Sequence, residues 1–159
     1  MNWRTASIVG VCLLSQPSLA EDQGRITGLW KLVSFDVQYQ DTNERKPTYG
    51  ANPGGYLVIL PEGRMMAVIT AEGRKVPKTD EDRLVALRTM LAYSGRYRVE
   101  GDKWITKVDV SWNEAWTGTE QSRTFKFDGP QLQVLSPWQP SANEPGRTIR
   151  GILVWEREK

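Results

Sequence analysis

Short apolar runs of strand character recur from Leu29 to Arg157, and turn residues separate nearly all of them. Leu29–Val37 opens the series and is rich in β-branched and aromatic residues, which suit a half-buried pleated strand. Tyr56–Leu60 and Met65–Ala71 flank Pro61-Glu62-Gly63-Arg64, with Pro and Gly where a hairpin turn favours them. Gly95–Glu100 and Lys103–Val110 flank Glu100-Gly101-Asp102. Thr119–Phe127 and Gln131–Ser136 flank Asp128-Gly129-Pro130, and Thr148–Arg157 ends the series after a Pro-rich loop. These runs predict eight strands. Hairpin-joined strands in such close succession build a sandwich or an up-and-down barrel, and eight close into a barrel able to hold one small ligand.

One helix interrupts the strands. Thr79 is its predicted N-cap, Asp80, Glu81 and Asp82 complement the positive end of its dipole, and Leu84, Leu87, Met90 and Leu91 share a face. Ser94-Gly95 is its expected end. It is read as a lid or side helix packed on the sheet.

Residues 1–20 read as a secretory signal peptide. Arg4 supplies the positive region, Ala6–Leu14 the apolar region, and Ser18-Leu19-Ala20 a small-x-small cleavage site. Cleavage after Ala20 leaves one domain, residues 21–159, with a periplasmic or secreted location. The apolar run is too short for a permanent membrane span, and the mature form is expected to have none. Cys12, the one cysteine, leaves with the leader, so no disulfide supports the mature fold.

The chain has no histidine. Without histidine or cysteine, the commonest zinc, copper and haem ligands are missing, and so is Ser-His or Cys-His nucleophilic machinery. No cofactor is expected. Lys and Arg number 21 against 19 Asp and Glu, and losing Arg4 brings the two signs nearly into balance. A nucleic-acid binder would carry a clustered basic excess.

Gly28-Leu29-Trp30 resembles the Gly-x-Trp signature of the lipocalin and calycin group. Gly55-Tyr56-Leu57, Tyr93-Ser94-Gly95-Arg96-Tyr97, Ser111-Trp112-Asn113 and Arg150-Gly151-Ile152-Leu153-Val154-Trp155 follow in the order found in one branch, the bacterial and fungal lipocalin-like domain proteins. The resemblance spans nearly the whole mature chain and implies an eight-stranded antiparallel barrel with an internal cavity. It also implies a basic residue near the last strand, here Arg157 or Arg150, packed over Trp30. It brings no reaction with it, because related barrels include both carriers and enzymes.

Alternation nominates the interior. Gln121, Arg123, Phe125 and Phe127 share a face that the phenylalanines mark as buried, so Arg123 is a candidate interior cation. A buried guanidinium needs an acceptor: Asp109, Glu114, Glu120, or a ligand carboxylate or enolate. Trp104, Thr106, Val108 and Val110 read as a core face of the neighbouring strand. Tyr56, Met65, Ala67, Ile69, Tyr97, Leu153 and Trp155 are the other cavity-lining candidates. Tyr93 is expected where the helix enters a strand, either donating to a ligand or anchoring the helix. Trp112, the nominated ligand contact, and Trp116 lie in the loop Ser111–Trp116 at one barrel end, at a pocket mouth or a closed plug. The leading expectation is a binder of a small apolar or aromatic molecule. The alternatives are a cofactor-free isomerase, cyclase or dehydratase using Arg123 with a Tyr or Asp, and a structural module whose barrel is filled.

Overall fold

The computed structural model describes residues 24–141 and 144–159; the leader assigned to residues 1–20 lies outside them. The strands are β1 (Gly28–Tyr39), β2 (Arg45–Pro47), β3 (Gly54–Leu60), β4 (Arg64–Thr70), β5 (Met90–Glu100), β6 (Lys103–Ser111), β7 (Glu120–Asp128), β8 (Gln131–Leu135), β9 (Gln139–Pro140) and β10 (Thr148–Arg157). They form one antiparallel sheet in the order β2-β1-β3-β4-β5-β6-β7-β8-β10-β9, and β1 also pairs with β10. That pairing closes an eight-stranded barrel. The short β2 and β9 lie outside the ring, on β1 and β10. Closure removes the unpaired edges that an open sheet would expose.

One end of the barrel is plugged. Trp30 is buried, its Nε1 donates to the Ile26 backbone oxygen at 2.8 Å, and its ring lies 6.2 Å from that of Phe127. Ile26, Ile59 and Met65 are buried in the same core. The guanidinium of Arg25 covers Phe127 from outside, 3.8 Å from the ring centroid.

Two bulges break the simple alternation. In β1, Leu32 faces Trp155 and Ser34 faces Val154, so Val33 has no partner. The extra residue shifts the inward phase and brings Phe35, opposite Leu153, to the interior side. In β6, Val108 faces Gly95 and Val110 faces Ser94, leaving Asp109 as the extra residue. Its carboxylate accepts from Arg64 at 2.6 Å and from Ser94 Oγ at 3.1 Å, on the outer wall. Beyond this bulge the faces exchange. Val110, expected on the core face with Trp104, Thr106 and Val108, is 65 % exposed.

The helix, α1 (Asp80–Arg88), starts as expected. Thr79 and Asp82 form a capping box, with Asp82 N donating to Thr79 Oγ1 and the Asp82 carboxylate accepting from Thr79 N. It ends earlier than expected, at Thr89. Met90 and Leu91 pair with Thr70 and Ile69 instead, and Tyr93-Ser94-Gly95 lies inside β5. Sheet pairing of this apolar run wins over its helical spacing, because Leu91 then reaches the interior. No residue of α1 is buried and none lines the cavity inside the barrel, so the helix is not a lid over that space.

Candidate functional site

Inside the barrel, at the end away from Trp30, lies a cavity of about 430 Å³. That volume falls in the roughly 300–1,000 Å³ range of small-molecule sites. Leu57, Ala67, Ile69, Trp104, Val134 and Trp155 form its deeper wall, with Phe35, Leu91, Tyr93, Gly151 and Leu153. Glu120 and Gln139 line it and are exposed, which places its mouth at this end. Trp116, in the short 3₁₀ turn Glu114–Trp116, lines the mouth and meets Tyr93 edge to face at 5.4 Å.

Arg123 projects from β7 into this space and is 9 % exposed. Its NH1 donates to the Ser122 backbone oxygen at 2.7 Å. A second contact, NH2 to Gln121 Oε1, is long at 3.5 Å, and the guanidinium also donates toward the Tyr93 hydroxyl oxygen. Its guanidinium carbon lies 5.4 Å from the Trp116 ring centroid. Among the described residues no carboxylate pairs with it. Glu120 is held by Arg98 at 2.7 Å, Asp109 by Arg64, and Glu114 accepts from Thr117 Oγ1 at 3.3 Å. The three protein acceptors expected for Arg123 are therefore all engaged elsewhere. Tyr93 is buried beside it. Burial pushes the Tyr93 hydroxyl above its ordinary range, and the neighbouring Arg123 charge offsets part of that rise. The phenol stays protonated and acts as a donor, not as a base.

Trp155 lines the same cavity, and its Nε1 is buried without a hydrogen-bond partner. Leaving such a donor unmade costs about 1–3 kcal/mol. Trp104 shows the alternative, with its Nε1 donating to Thr106 Oγ1 at 3.1 Å.

Six of the residues nominated from sequence come together here: Ala67, Ile69, Tyr93, Arg123, Leu153 and Trp155. Five do not. Tyr56 is on the outer wall, 49 % exposed, while Leu57 and Ile59 point inward. The run Tyr56–Leu60 is apolar on both faces, so alternation there could not choose the phase. Met65 and Phe125 are buried core residues away from the cavity wall. Tyr97 packs against the core and donates to the Leu60 backbone oxygen at 3.0 Å. Trp112 buttresses Trp116 from behind, with ring centroids 4.9 Å apart, and does not line the cavity. Of the two tryptophans that the sequence places in this loop at a mouth or a plug, Trp116 and not the nominated Trp112 lines the mouth. Phe35 was missed because nothing in its neighbourhood signals the bulge at Val33.

A lipocalin-like domain model matches residues 27–158. The chain belongs to the lipocalin-like domain family. A lipocalin-like protein from Bacteroides uniformis is similar to it in fold, with 10% identity, covering 85% of this chain and 100% of its own at a TM-score of 0.46. An uncharacterized protein from Bacteroides eggerthii has 12% identity and covers 83% of this chain and 98% of its own, with a TM-score of 0.43. No curated protein matches the chain significantly.

Proposed function

We propose that this lipocalin-like protein is an exported binder of one small, largely apolar or aromatic molecule held inside the barrel. The observation that carries the reading is the cavity, about 430 Å³ and walled mainly by aliphatic and aromatic side chains with few polar groups among them. Such a composition suits a ligand held by burial and oriented by a small number of hydrogen bonds. Ala67, Ile69, Leu153 and Trp155 supply apolar contact, and Tyr93 and Arg123 supply orientation. The leader-like residues 1–20 support export. A filled structural barrel would leave no room of this size. Carboxylate general-base chemistry finds little support, because Glu120, the one carboxylate lining the cavity among the described residues, is tied to Arg98 at the rim.

Two measurements test this. Native mass spectrometry of protein from its own host is expected to show a stoichiometric bound molecule. The neutral dye N-phenyl-1-naphthylamine is expected to enter the emptied barrel, and Ala67→Phe or Leu153→Trp, each checked for folding by circular dichroism, to block it. Dye uptake unchanged in both folded variants would overturn the assignment of the cavity as the binding site.

A further inference from the structure

The polar groups on the cavity wall divide unevenly. Apart from the exposed Gln139 at the mouth, its side-chain acceptors are already engaged. Ser136 Oγ accepts from Gly151 N at 2.8 Å, Gln121 Oε1 faces Arg123, and both Glu120 oxygens accept from Arg98. The buried groups with unspent capacity are donors: the Arg123 guanidinium and the Tyr93 hydroxyl. A cation beside Tyr93 attracts its oxygen and leaves its proton directed elsewhere. Arg123 is more than nine-tenths buried, so it does not rely on bulk solvent.

We propose that the ligand is an organic anion whose carboxylate or enolate meets Arg123 and Tyr93. This rests on the cavity being the binding site and adds the chemical class. The buried cation gains the partner that no protein carboxylate provides. A neutral hydrocarbon would leave it unmet. A cationic ligand would meet Arg123 with like charge at short range.

The test uses two fluorescent naphthalenes, 6-methoxy-2-naphthoate and its methyl ester. The acid is expected to bind at least about tenfold tighter than the ester, as a charge-assisted hydrogen bond supplies. In Arg123→Met the acid loses more affinity than the ester and that preference disappears. Equal binding of acid and ester to the wild-type protein, or an acid preference that survives Arg123→Met, overturns the inference while uptake of the neutral dye keeps the cavity reading standing. Failure of the dye and both naphthalenes to bind defeats both.

Discussion

The guanidinium of Arg157 lies 4.4 Å from the centroid of the Trp30 indole, and the same side chain donates to the backbone oxygens of Thr27 at 2.9 Å and Arg25 at 2.6 Å. Arg157 therefore ties the N-terminal turn onto the plugged end of the barrel. Arg150, the other candidate for this place, stacks on Trp138 instead, at 4.5 Å, and donates to Gln38. The pairing also explains Gly28, whose φ is +140° and where an added Cβ would fall 2.3 Å from Arg157 NH1.

Arg157→Leu keeps apolar cover over Trp30 but loses the cation–π contact and two hydrogen bonds. It is expected to lower stability by about 1–2 kcal/mol, read as a shifted urea midpoint. Dye uptake should be unaffected, because the cavity opens at the other end. A variant as stable as the wild type would mean that Trp30 alone holds the plug.

Gly95 faces the bulge in β6, and a Cβ there would lie 2.1 Å from the Lys107 backbone oxygen. The obstacle is backbone, which cannot swing aside. Gly95→Ala is expected to cost about 3 kcal/mol or more. Gly101, in the β5–β6 turn, has φ +63° but open space around it, so Gly101→Ala should cost only about 1–2 kcal/mol of backbone strain. The two urea midpoints should fall in that order, and the reverse order would refute the steric account.

Gly95 marks the limit of what local pattern reveals. The hairpin turns and most strand limits derive from turn chemistry and alternation, so the barrel was legible from sequence. Arg123 was legible as an interior cation because Phe125 and Phe127 fix the phase of β7. Bulges are different. Val33 and Asp109 look like ordinary strand residues, and their unpaired state arises from the partner strand's register. Each reverses the phase of the residues C-terminal to it, which misplaced Val110 and hid Phe35. The early end of α1 has a similar origin: Met90 and Leu91 fit a helix locally, and only pairing with β4 turns them into strand.

Arg123 should oppose stability while serving binding. Its buried charge is held by the Ser122 backbone oxygen, the Tyr93 hydroxyl and a long contact to Gln121, with no carboxylate partner among the described residues. Replacing such a cation with an apolar side chain of similar length is often neutral or stabilising by about 1–4 kcal/mol. Arg123→Met, without ligand, is therefore expected to match or exceed the wild-type thermal midpoint. A midpoint lowered by several degrees would show that Arg123 is a structural strut, held more firmly than its contacts indicate.

The pH profile of stability should be flat through neutrality and fall on both sides. Several surface carboxylates are held below their usual range: Asp41 by Arg147, Glu72 by Asn52, Asp82 by the backbone N–H groups of Lys78 and Thr79, and Glu120 by Arg98. A carboxyl with a depressed folded pKa favours the folded state above its unfolded pKa, about 4 for these side chains. That contribution is lost as pH falls through the lower folded value. The acid limb should begin near pH 5, and high salt should blunt it, because these pairs are exposed. Tyr93 acts in the opposite direction. Its folded pKa is raised by burial, so its contribution is complete below about pH 10, the unfolded value, and is lost as pH rises through the folded one. No histidine lies between these limits. Urea midpoints should therefore hold constant from about pH 6 to pH 9, and a slope across pH 6–7 would reveal a buried carboxyl titrating there, contrary to the exposed positions of these four.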